Sequence, residues 1–388
     1  MNREIKTNHA PPWARGLAAA FVLAVGLGAG FPVDAKKKPT SPAKRPAATK
    51  SVVVIPPENY PQCGAEYVAD AYTGHVLHAH NAHDPVLPAS VSKLPLALAV
   101  HQAVKSEQTR WDTEIDIPRP APVVNKEVRK GKELPKPKIN ATICDDTVIG
   151  AHGTMRMSLR DALANTLVAS NLYTSVGLAR HLEGITGRPY PELVLPLLSA
   201  IGSDHSSIKE PSGISNAAQC LNERQRPADY AATLKDTIAK GARLDALKHN
   251  VSTVHDMARW AWAALKIPEL VTILRTPSIR FMQGDFSNTN PLMRGHDPAS
   301  ADPGKTGFTV TAGGVFGGAL GFDQSRPLMI SVAACDNPRH RDTRLKMLER
   351  EFSPVTRQAP SPRHLDNPPQ ISHSHLAPGA TQPALVAE

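Results

Sequence analysis

The chain has 388 residues, enough for one large domain or two, and its hydrophobic content of 41% allows a substantial core. The formal net charge is +9, but six of these charges lie between residues 36 and 50, so the overall basicity says little about the folded part. The 36 prolines cluster towards both ends, which argues against a chain folded throughout and predicts a folded middle with unstructured flanks.

The amino terminus has the pattern of an export signal. Basic residues in the first 15 positions precede an apolar stretch, residues 16–31, and Val33-Asp34-Ala35 then forms a small-x-small cleavage pattern. We therefore predict a signal peptide over residues 1–35, cleaved near Ala35, and a periplasmic or secreted protein. The alternative is an uncleaved membrane anchor, for which the apolar stretch is short compared with the ~20 residues that span a bilayer.

Residues 36–58 form a basic, proline-rich linker, and residues 354–388 form a proline-rich tail that we predict to be disordered. Behind an export signal, the basic linker is expected to meet anionic wall polymer or lipid headgroups rather than nucleic acid. The alternative is a spacer without a partner.

Between these flanks, hydrophobic periodicity predicts the following elements. Strands are expected over residues 65–70, 75–80, 309–310, 314–322 and 328–334. Helices are expected from Ser90 or just before it to 104, from Ser158 (a capping box with Asp161), around residues 176–182, and over 252–266 and 341–352. Residues 110–145 are expected to be a loop.

Strands at both ends with helices between them predict an α+β fold. Its five-stranded, mostly antiparallel sheet would come from both chain ends, with an all-helical lobe inserted and a cleft between the two.

Three short motifs carry the chemistry of the predicted cleft. Ser90-Val91-Ser92-Lys93 is an S-x-x-K, Ala169-Ser170-Asn171 lies between two helices, and Lys305-Thr306-Gly307 is a K-T-G. Each motif alone arises often by chance. Their order and their positions on the expected elements together indicate an acyl-transfer enzyme.

A serine hydroxyl is a weak nucleophile and needs a base beside it. Lys93 lies nearly one helical turn after Ser90, and burial together with the second cation, Lys305, lowers the pKa of a lysine. Lys305 and Thr306 are expected to bind a substrate carboxylate, and Gly307 lets the substrate backbone approach the strand.

The sequence resembles the low-molecular-weight serine DD-peptidases, which are penicillin-binding proteins with a β-lactamase/DD-peptidase-like fold. The resemblance covers about residues 63–352, outside inserts near 118–145 and 215–248. It rests on Leu87-Pro88-Ala89-Ser90, Glu210-Pro211-Ser212-Gly213-Ile214, Asn250-Val251-Ser252-Thr253, Asn288-Thr289-Asn290-Pro291-Leu292 and Gly304-Lys305-Thr306-Gly307-Phe308.

The resemblance implies a domain over residues 59–353 that hydrolyses D-alanyl bonds of peptidoglycan through an acyl-enzyme on Ser90. Lys93 would be the base, Ser170 the proton relay and Lys305 a substrate ligand, and the amides of Ser90 and Phe308 would form the oxyanion hole. Peptidoglycan would be the substrate partner and β-lactams covalent inhibitors, with no cofactor. The length of the chain resembles the shorter, endopeptidase-like members.

Two departures from the family pattern stand out. The family has Ser-x-Asn in the second motif, whereas Asn171 directly follows Ser170 here. We favour Ser170 and Asn171 as a rearranged pair; a one-residue shift would instead put Ala169 at the serine position. Pro95 lies early in the nucleophile helix, where it is expected to remove a hydrogen bond and kink the helix.

The four cysteines allow two disulfides in an oxidising compartment. If the first strand pairs with the last, Cys63 lies near Cys335, and Cys144 is then left to pair with Cys220. Free buried thiols are the alternative.

Four histidines, His75, His78, His80 and His83, suggest a metal site, but no cysteine or carboxylate cluster completes a ligand set, so we predict a solvated hairpin edge and no metal.

Two other functions share these motifs. A class A β-lactamase needs a deacylating glutamate in an E-x-x-L-N run, and Leu221-Asn222 is preceded by Ala218 instead. A catalytically impaired, wall-binding relative is the non-enzymatic alternative, and the irregular second motif favours it.

Overall fold

The computed structural model describes residues 62–119, 153–214, 227–243, 247, 249–282, 284–293, 297, 300–324 and 326–357. The predicted signal peptide, the basic linker, most of the tail, Cys144 and Cys220 lie outside these residues.

The strands and helices of the described residues are numbered here in chain order. The strands are β1 Ala65–Asp70, β2 Val76–His80, β3 Glu114–Pro118, β4 Thr154–Ser158, β5 Ser278–Phe281, β6 Gly284–Ser287, β7 Gly304–Thr309, β8 Gly313–Leu320 and β9 Leu328–Cys335. The α-helices are α1 Lys93–Lys105, α2 Leu159–Val168, α3 Leu172–Thr186, α4 Tyr190–Ala200, α5 Pro227–Ala239, α6 Val254–Leu265, α7 Pro268–Leu274 and α8 Pro338–Arg357.

The main sheet is built from both ends of the folded chain. Its five strands lie in the order β2-β1-β9-β8-β7, and every neighbouring pair is antiparallel. With the helices inserted between β2 and β7, this confirms the predicted α+β fold. The inserted lobe is not all-helical as expected, because it also contains the antiparallel strand pairs β3–β4 and β5–β6. The K-T-G motif lies within β7, the edge strand, rather than ahead of it.

Both faces of the sheet are covered. Side chains alternate along β9, so Met329 and Ala333 join the core shared with the helical lobe, while Ile330 and Val332 face α8. Because each face buries its own apolar set, the central strands read as nearly continuous hydrophobic runs rather than as an alternating pattern.

The helical lobe is organised around α1, whose residues are buried on most sides. The helix α2 begins where predicted, because the Ser158 hydroxyl accepts a hydrogen bond from the Asp161 amide at 3.1 Å. Thr253 caps α6 in the same way. The capping signal therefore located the start of α2, whereas α6 begins two residues after its predicted start at residue 252.

Three expectations about local structure were wrong. Residues 114–118 form β3, paired with β4, because Ile115 and Ile117 alternate with exposed residues and pack inward. The last helix runs to Arg357, five residues beyond the predicted end at Phe352. Pro95 is the third residue of α1, where a backbone N–H has no partner within the helix, so no such bond is lost there.

A disulfide joins Cys63 to Cys335, with their Cα atoms 4.3 Å apart. It links the residues at the start of β1 and the end of β9, as expected from the antiparallel pairing of these two strands. Across the ranges given above, no helix combines the length and the apolar character needed to cross a bilayer.

Candidate active site

Ser90 and Lys93 meet where the chain enters the helical lobe. Ser90 lies in a 3-10 turn, Ala89–Ser92, that leads directly into α1, and Lys93 is the first residue of that helix. The Lys93 ammonium nitrogen lies 2.9 Å from the Ser90 hydroxyl oxygen. The pair therefore has the contact that a serine nucleophile and its base require.

The Lys93 side chain is fully buried, and burial lowers its pKa to about 8. A lysine whose pKa lies this close to neutrality is partly unprotonated at physiological pH and can accept the serine proton.

Lys305 approaches from β7. Its side chain is also buried, and its Nζ atom donates to the Thr306 carbonyl at 2.8 Å. Burial lowers the pKa of Lys305 well below its usual value, and the charges of Lys93 and Arg341 lower it further. The first and third motifs thus converge on one site.

Strand β7 passes very close to the nucleophile turn. A Cβ atom added at Gly307 would lie 2.9 Å from the Ser90 amide nitrogen and 3.0 Å from the Pro88 carbonyl oxygen. Only glycine allows this approach, so Gly307 brings the backbone of β7 beside the amide of Ser90. The next residue, Phe308, exposes 46% of its surface.

The second motif occupies the turn between α2 and α3. Ser170 adopts a left-handed backbone conformation with φ 57°, and Asn171 caps α3 by accepting hydrogen bonds from the amides of Tyr173 and Thr174. In the part of the chain that is described, the Ser170 hydroxyl has no hydrogen-bond partner, and neither residue bonds to Ser90, Lys93 or Lys305.

Thr289 connects the end of α2 to the third motif. Its amide donates to the Val168 carbonyl at 3.3 Å, and its hydroxyl lies 2.6 Å from the Thr306 hydroxyl. The N-T-N motif, for which the sequence suggested no role, therefore joins β7 to the helix that precedes Ser170.

The loop 210–213 supplies contacts that the sequence did not reveal. The Ser212 carbonyl accepts a hydrogen bond from Lys93 Nζ at 2.5 Å, and the Ser90 hydroxyl lies 3.4 Å from the same oxygen. A backbone carbonyl carries no sequence signal, although the E-P-S-G stretch that contains it was recognisable as a family motif.

The histidines of the first hairpin do not form a ligand set. His78 was expected on a solvated edge, but its side chain is only 11% exposed and its Nε2 atom lies 2.8 Å from a carboxylate oxygen of Glu66. It is covered because β2 packs near Phe352 of α8. No cluster of three or more potential metal ligands occurs among the residues with described positions.

The family model of the D-alanyl-D-alanine carboxypeptidases, peptidase family S11, matches residues 56–332, well over half of the chain. The chain belongs to this family. It is accordingly a serine DD-peptidase of the carboxypeptidase class, and peptidoglycan is the context in which such enzymes act.

Solved penicillin-binding proteins share the fold of this family member. Protein 6B of Escherichia coli is 21% identical with a TM-score of 0.54, and the match covers 78% of this chain and 80% of that one. Protein 5 of Haemophilus influenzae is 19% identical with a TM-score of 0.55, covering 77% and 73%.

Protein D2 of Listeria monocytogenes, solved with bound cefotaxime, is 21% identical with a TM-score of 0.52, covering 76% of this chain and 99% of that one. No curated protein sequence gives a significant match.

Proposed function

We propose that this enzyme cleaves D-alanyl bonds of peptidoglycan stem peptides with Ser90 as the acylated nucleophile and Lys93 as its base. The observation that carries the assignment is the 2.9 Å contact between Lys93 Nζ and Ser90 Oγ, made by a buried lysine whose pKa burial lowers to about 8.

In the first step the Ser90 oxygen attacks the D-alanyl carbonyl carbon, and its proton passes to neutral Lys93. The amides of Ser90 and Phe308 would stabilise the oxyanion, an assignment supported by the close passage of β7 at Gly307. The peptide C–N bond then breaks, and the proton held by Lys93 passes through Ser170 to the departing amine. Water hydrolyses the ester and regenerates the Ser90 hydroxyl.

Lys305 and Thr306 would hold the carboxylate of the substrate. Their support is positional: both belong to the edge strand next to the nucleophile, and both side chains can donate hydrogen bonds to a carboxylate. A β-lactam, which presents a carboxylate and a reactive amide, would acylate Ser90 at the same place.

The test is covalent labelling with a fluorescent penicillin, followed by gel electrophoresis. We expect a stable labelled band that Ser90→Ala abolishes. Ser106→Ala, at the far end of α1, is the control and should keep the label, because the Ser106 hydroxyl donates only to carbonyls of its own helix. Rapid loss of label with release of hydrolysed penicillin would indicate a β-lactamase, and a folded wild-type protein without label would contradict the proposal.

We also propose that the enzyme cleaves peptidoglycan cross-links, in addition to releasing terminal D-alanine. It is supported by the Ser90–Lys93 contact, because the same acyl transfer can act on a D-alanyl bond in a stem peptide or in a cross-link. Digestion of isolated peptidoglycan, with separation of the muropeptides, should show cross-linked dimers converted to monomers. Loss of terminal D-alanine alone would limit the enzyme to carboxypeptidase activity.

A catalytically impaired wall-binding protein is the second candidate. The observation that favours it is the second motif, because Asn171 is committed to capping α3 and the Ser170 hydroxyl lacks a partner within the described residues. Retention on peptidoglycan sacculi without penicillin labelling would support this candidate.

Export from the cytoplasm is also proposed, with cleavage near Ala35 and the linker 36–58 touching anionic wall polymer or lipid. The Cys63–Cys335 disulfide supports it, because such bonds persist in oxidising compartments. Amino-terminal sequencing of the exported protein should begin at Lys36; an intact Met1 would indicate a retained anchor.

A further inference from the structure

Glu210 is a partly buried residue immediately behind the catalytic pair. Its Oε2 atom accepts hydrogen bonds from the Ser212 amide at 2.7 Å and the Ser212 hydroxyl at 2.5 Å, and its Oε1 atom accepts one from Asn250 at 3.1 Å. Both oxygens are therefore occupied by the protein itself. A carboxylate held in this way is built to position its neighbours rather than to contact substrate.

Ser212 connects Glu210 to Lys93. Its amide and hydroxyl point to Glu210, while its carbonyl accepts the hydrogen bond from Lys93 Nζ at 2.5 Å. The next residue, Gly213, has φ 74°, and a Cβ atom there would overlap the Ala89 carbonyl. The loop is thus pressed against the turn that carries Ser90, so a shift of Ser212 would move the base.

Asn250, which precedes α6, forms hydrogen bonds to the same loop, residues 210–213, and to the residue before it. Its Oδ1 atom accepts from the amides of Lys209 and Glu210 at 2.7 and 3.2 Å. Its Nδ2 atom lies 3.1 Å from the Ser92 hydroxyl, which belongs to the nucleophile turn. Glu210 therefore sits in a polar network with defined contacts on both sides of the catalytic pair.

The charges around Lys93 come from three directions. Glu210 faces it from the loop and Lys305 from β7, with Arg341 of α8 beyond Lys305. Tyr190 of α4 is buried near Glu210, and its hydroxyl has no hydrogen-bond partner in the described ranges. Glu210 thus supplies the negative charge opposite two cations. Burial raises the pKa of Glu210, while the bonds from Ser212 and the charge of Lys93 act in the other direction.

We propose that Glu210 is a positioning residue of the reaction, holding the Ser212 carbonyl on Lys93 and setting, through its charge, the pH at which Lys93 becomes a base. The inference rests on the proposed function, because it assumes that Lys93 activates Ser90. Loss of the negative charge would destabilise the Lys93 ammonium group, so the neutral base would form at lower pH.

The experiment compares Glu210→Gln with Asp256→Asn across pH 5–10. Glutamine keeps the size and the accepting oxygen of Glu210 but removes its charge. Asp256 is the matched control, since it is a buried carboxylate that also accepts hydrogen bonds from a backbone amide, that of His205, and a serine hydroxyl, that of Ser206. In the pH profile of the penicillin acylation rate, the acid limb is the rise of the rate as Lys93 loses its proton. We expect this limb to lie about one pH unit lower in Glu210→Gln than in wild type and to be unchanged in Asp256→Asn.

Three results would overturn the inference. The first is an acid limb in Glu210→Gln that coincides with that of wild type. The second is an equal shift in Asp256→Asn, which would indicate a general effect of removing a buried carboxylate. The third is normal acylation of Glu210→Gln by a D-alanyl peptide with an acyl-enzyme that accumulates, unlike that of wild type, which would show that Glu210 acts on the hydrolytic water instead.

Two further measurements keep the test decisive. If Glu210→Gln does not fold, Ser212→Ala removes one hydrogen bond to the carboxylate and should shift the limb in the same direction by less; an unmoved limb would contradict the inference.

If the wild-type protein does not label, the proposed function fails. The Lys93 titration, followed by NMR of lysine labelled at the ε-carbon and assigned with Lys93→Arg, then tests the charge coupling independently, and equal Lys93 midpoints in wild type and Glu210→Gln would refute it.

Discussion

At the scale of single residues, two glycines determine how closely the chain packs around Ser90. Gly213 brings the loop 210–213 onto the Ala89 carbonyl from one side, and Gly307 brings β7 to the Ser90 amide from the other. Neither position has room for a methyl group. The geometry of the nucleophile therefore depends on residues that contribute no chemical group of their own.

Gly307→Ala is expected to slow penicillin acylation on the order of 10- to 100-fold, because the new methyl group would push β7 away from Ser90 and misplace the reacting groups. Stopped-flow measurement of the acylation rate checks this. Gly184→Ala in α3 is the control, since a Cβ atom there meets nothing within 4 Å. It should leave the rate unchanged and stabilise the helix by up to about 1 kcal/mol. A wild-type rate in Gly307→Ala would contradict the close approach.

Substitutions of Ser170 and of Asn171 should have different effects, the first on activity and the second on stability. If Ser170 relays protons, Ser170→Ala will lower turnover of a D-alanyl peptide by roughly 100-fold or more and leave the unfolding free energy nearly unchanged. Asn171→Ala should instead cost about 1 kcal/mol of stability, because it removes the cap of α3. Full activity in Ser170→Ala would take the relay away from this residue and favour the alignment that places Ala169 at the family serine.

At the scale of elements, prediction succeeded where a local pattern reflects burial and failed where tertiary contacts decide. The runs that became β8 and β9 are buried throughout and were recognisable, and a capping residue located the start of α2. The short strand β3 ends in a proline and exists because β4 pairs with it, so its five residues alone gave too weak a signal.

The helix α8 is anchored to the sheet by a buried ion pair. Arg344 donates two hydrogen bonds of 2.8 Å to the carboxylate of Glu66 in β1, and both side chains are almost fully buried. Burial alone would raise the pKa of Glu66, but the hydrogen bonds from His78 and Arg344 lower it to about 2. A lowered pKa means that the ionised form is favoured by folding.

This pair should make the protein acid-sensitive. The stabilisation is complete above the ordinary glutamate pKa of 4.5 and is lost as the pH falls from there towards about 2, a change on the order of 3 kcal/mol. Urea unfolding at several values between pH 6 and 3 should show about 2 kcal/mol of this loss. Glu66→Gln should be less stable at pH 6, because Arg344 stays buried without its partner, and should lose less stability on acidification. The exposed Glu114→Gln should keep the wild-type slope; an equal slope in Glu66→Gln would contradict the assignment.

At the scale of the whole molecule, the sheet order explains why motifs far apart in sequence form one site. Strands β1 and β9 pair in the middle of the sheet, so the chain segments before and after the helical lobe are brought together, and Lys305 reaches Ser90 from the edge strand. Motif order was enough to predict this convergence. The role of the Ser212 carbonyl and the partial burial of Glu210 were not predictable, since both depend on how one loop packs between the lobes.

The same closure of the chain ends should be reinforced by the Cys63–Cys335 disulfide, which joins residues 272 positions apart. A bond closing so long a loop restricts the unfolded chain strongly, and its removal typically costs about 2–5 kcal/mol. We expect the double variant Cys63→Ser/Cys335→Ser to unfold at lower urea concentration by a corresponding amount while still labelling with penicillin. Reductant should lower the midpoint of the wild-type protein to that of the variant measured in the same reductant. A lower urea midpoint for the reduced variant than for the unreduced variant would reveal the predicted second bond between Cys144 and Cys220. Equal midpoints for oxidised wild type and the unreduced variant would show that the Cys63–Cys335 bond adds no stability.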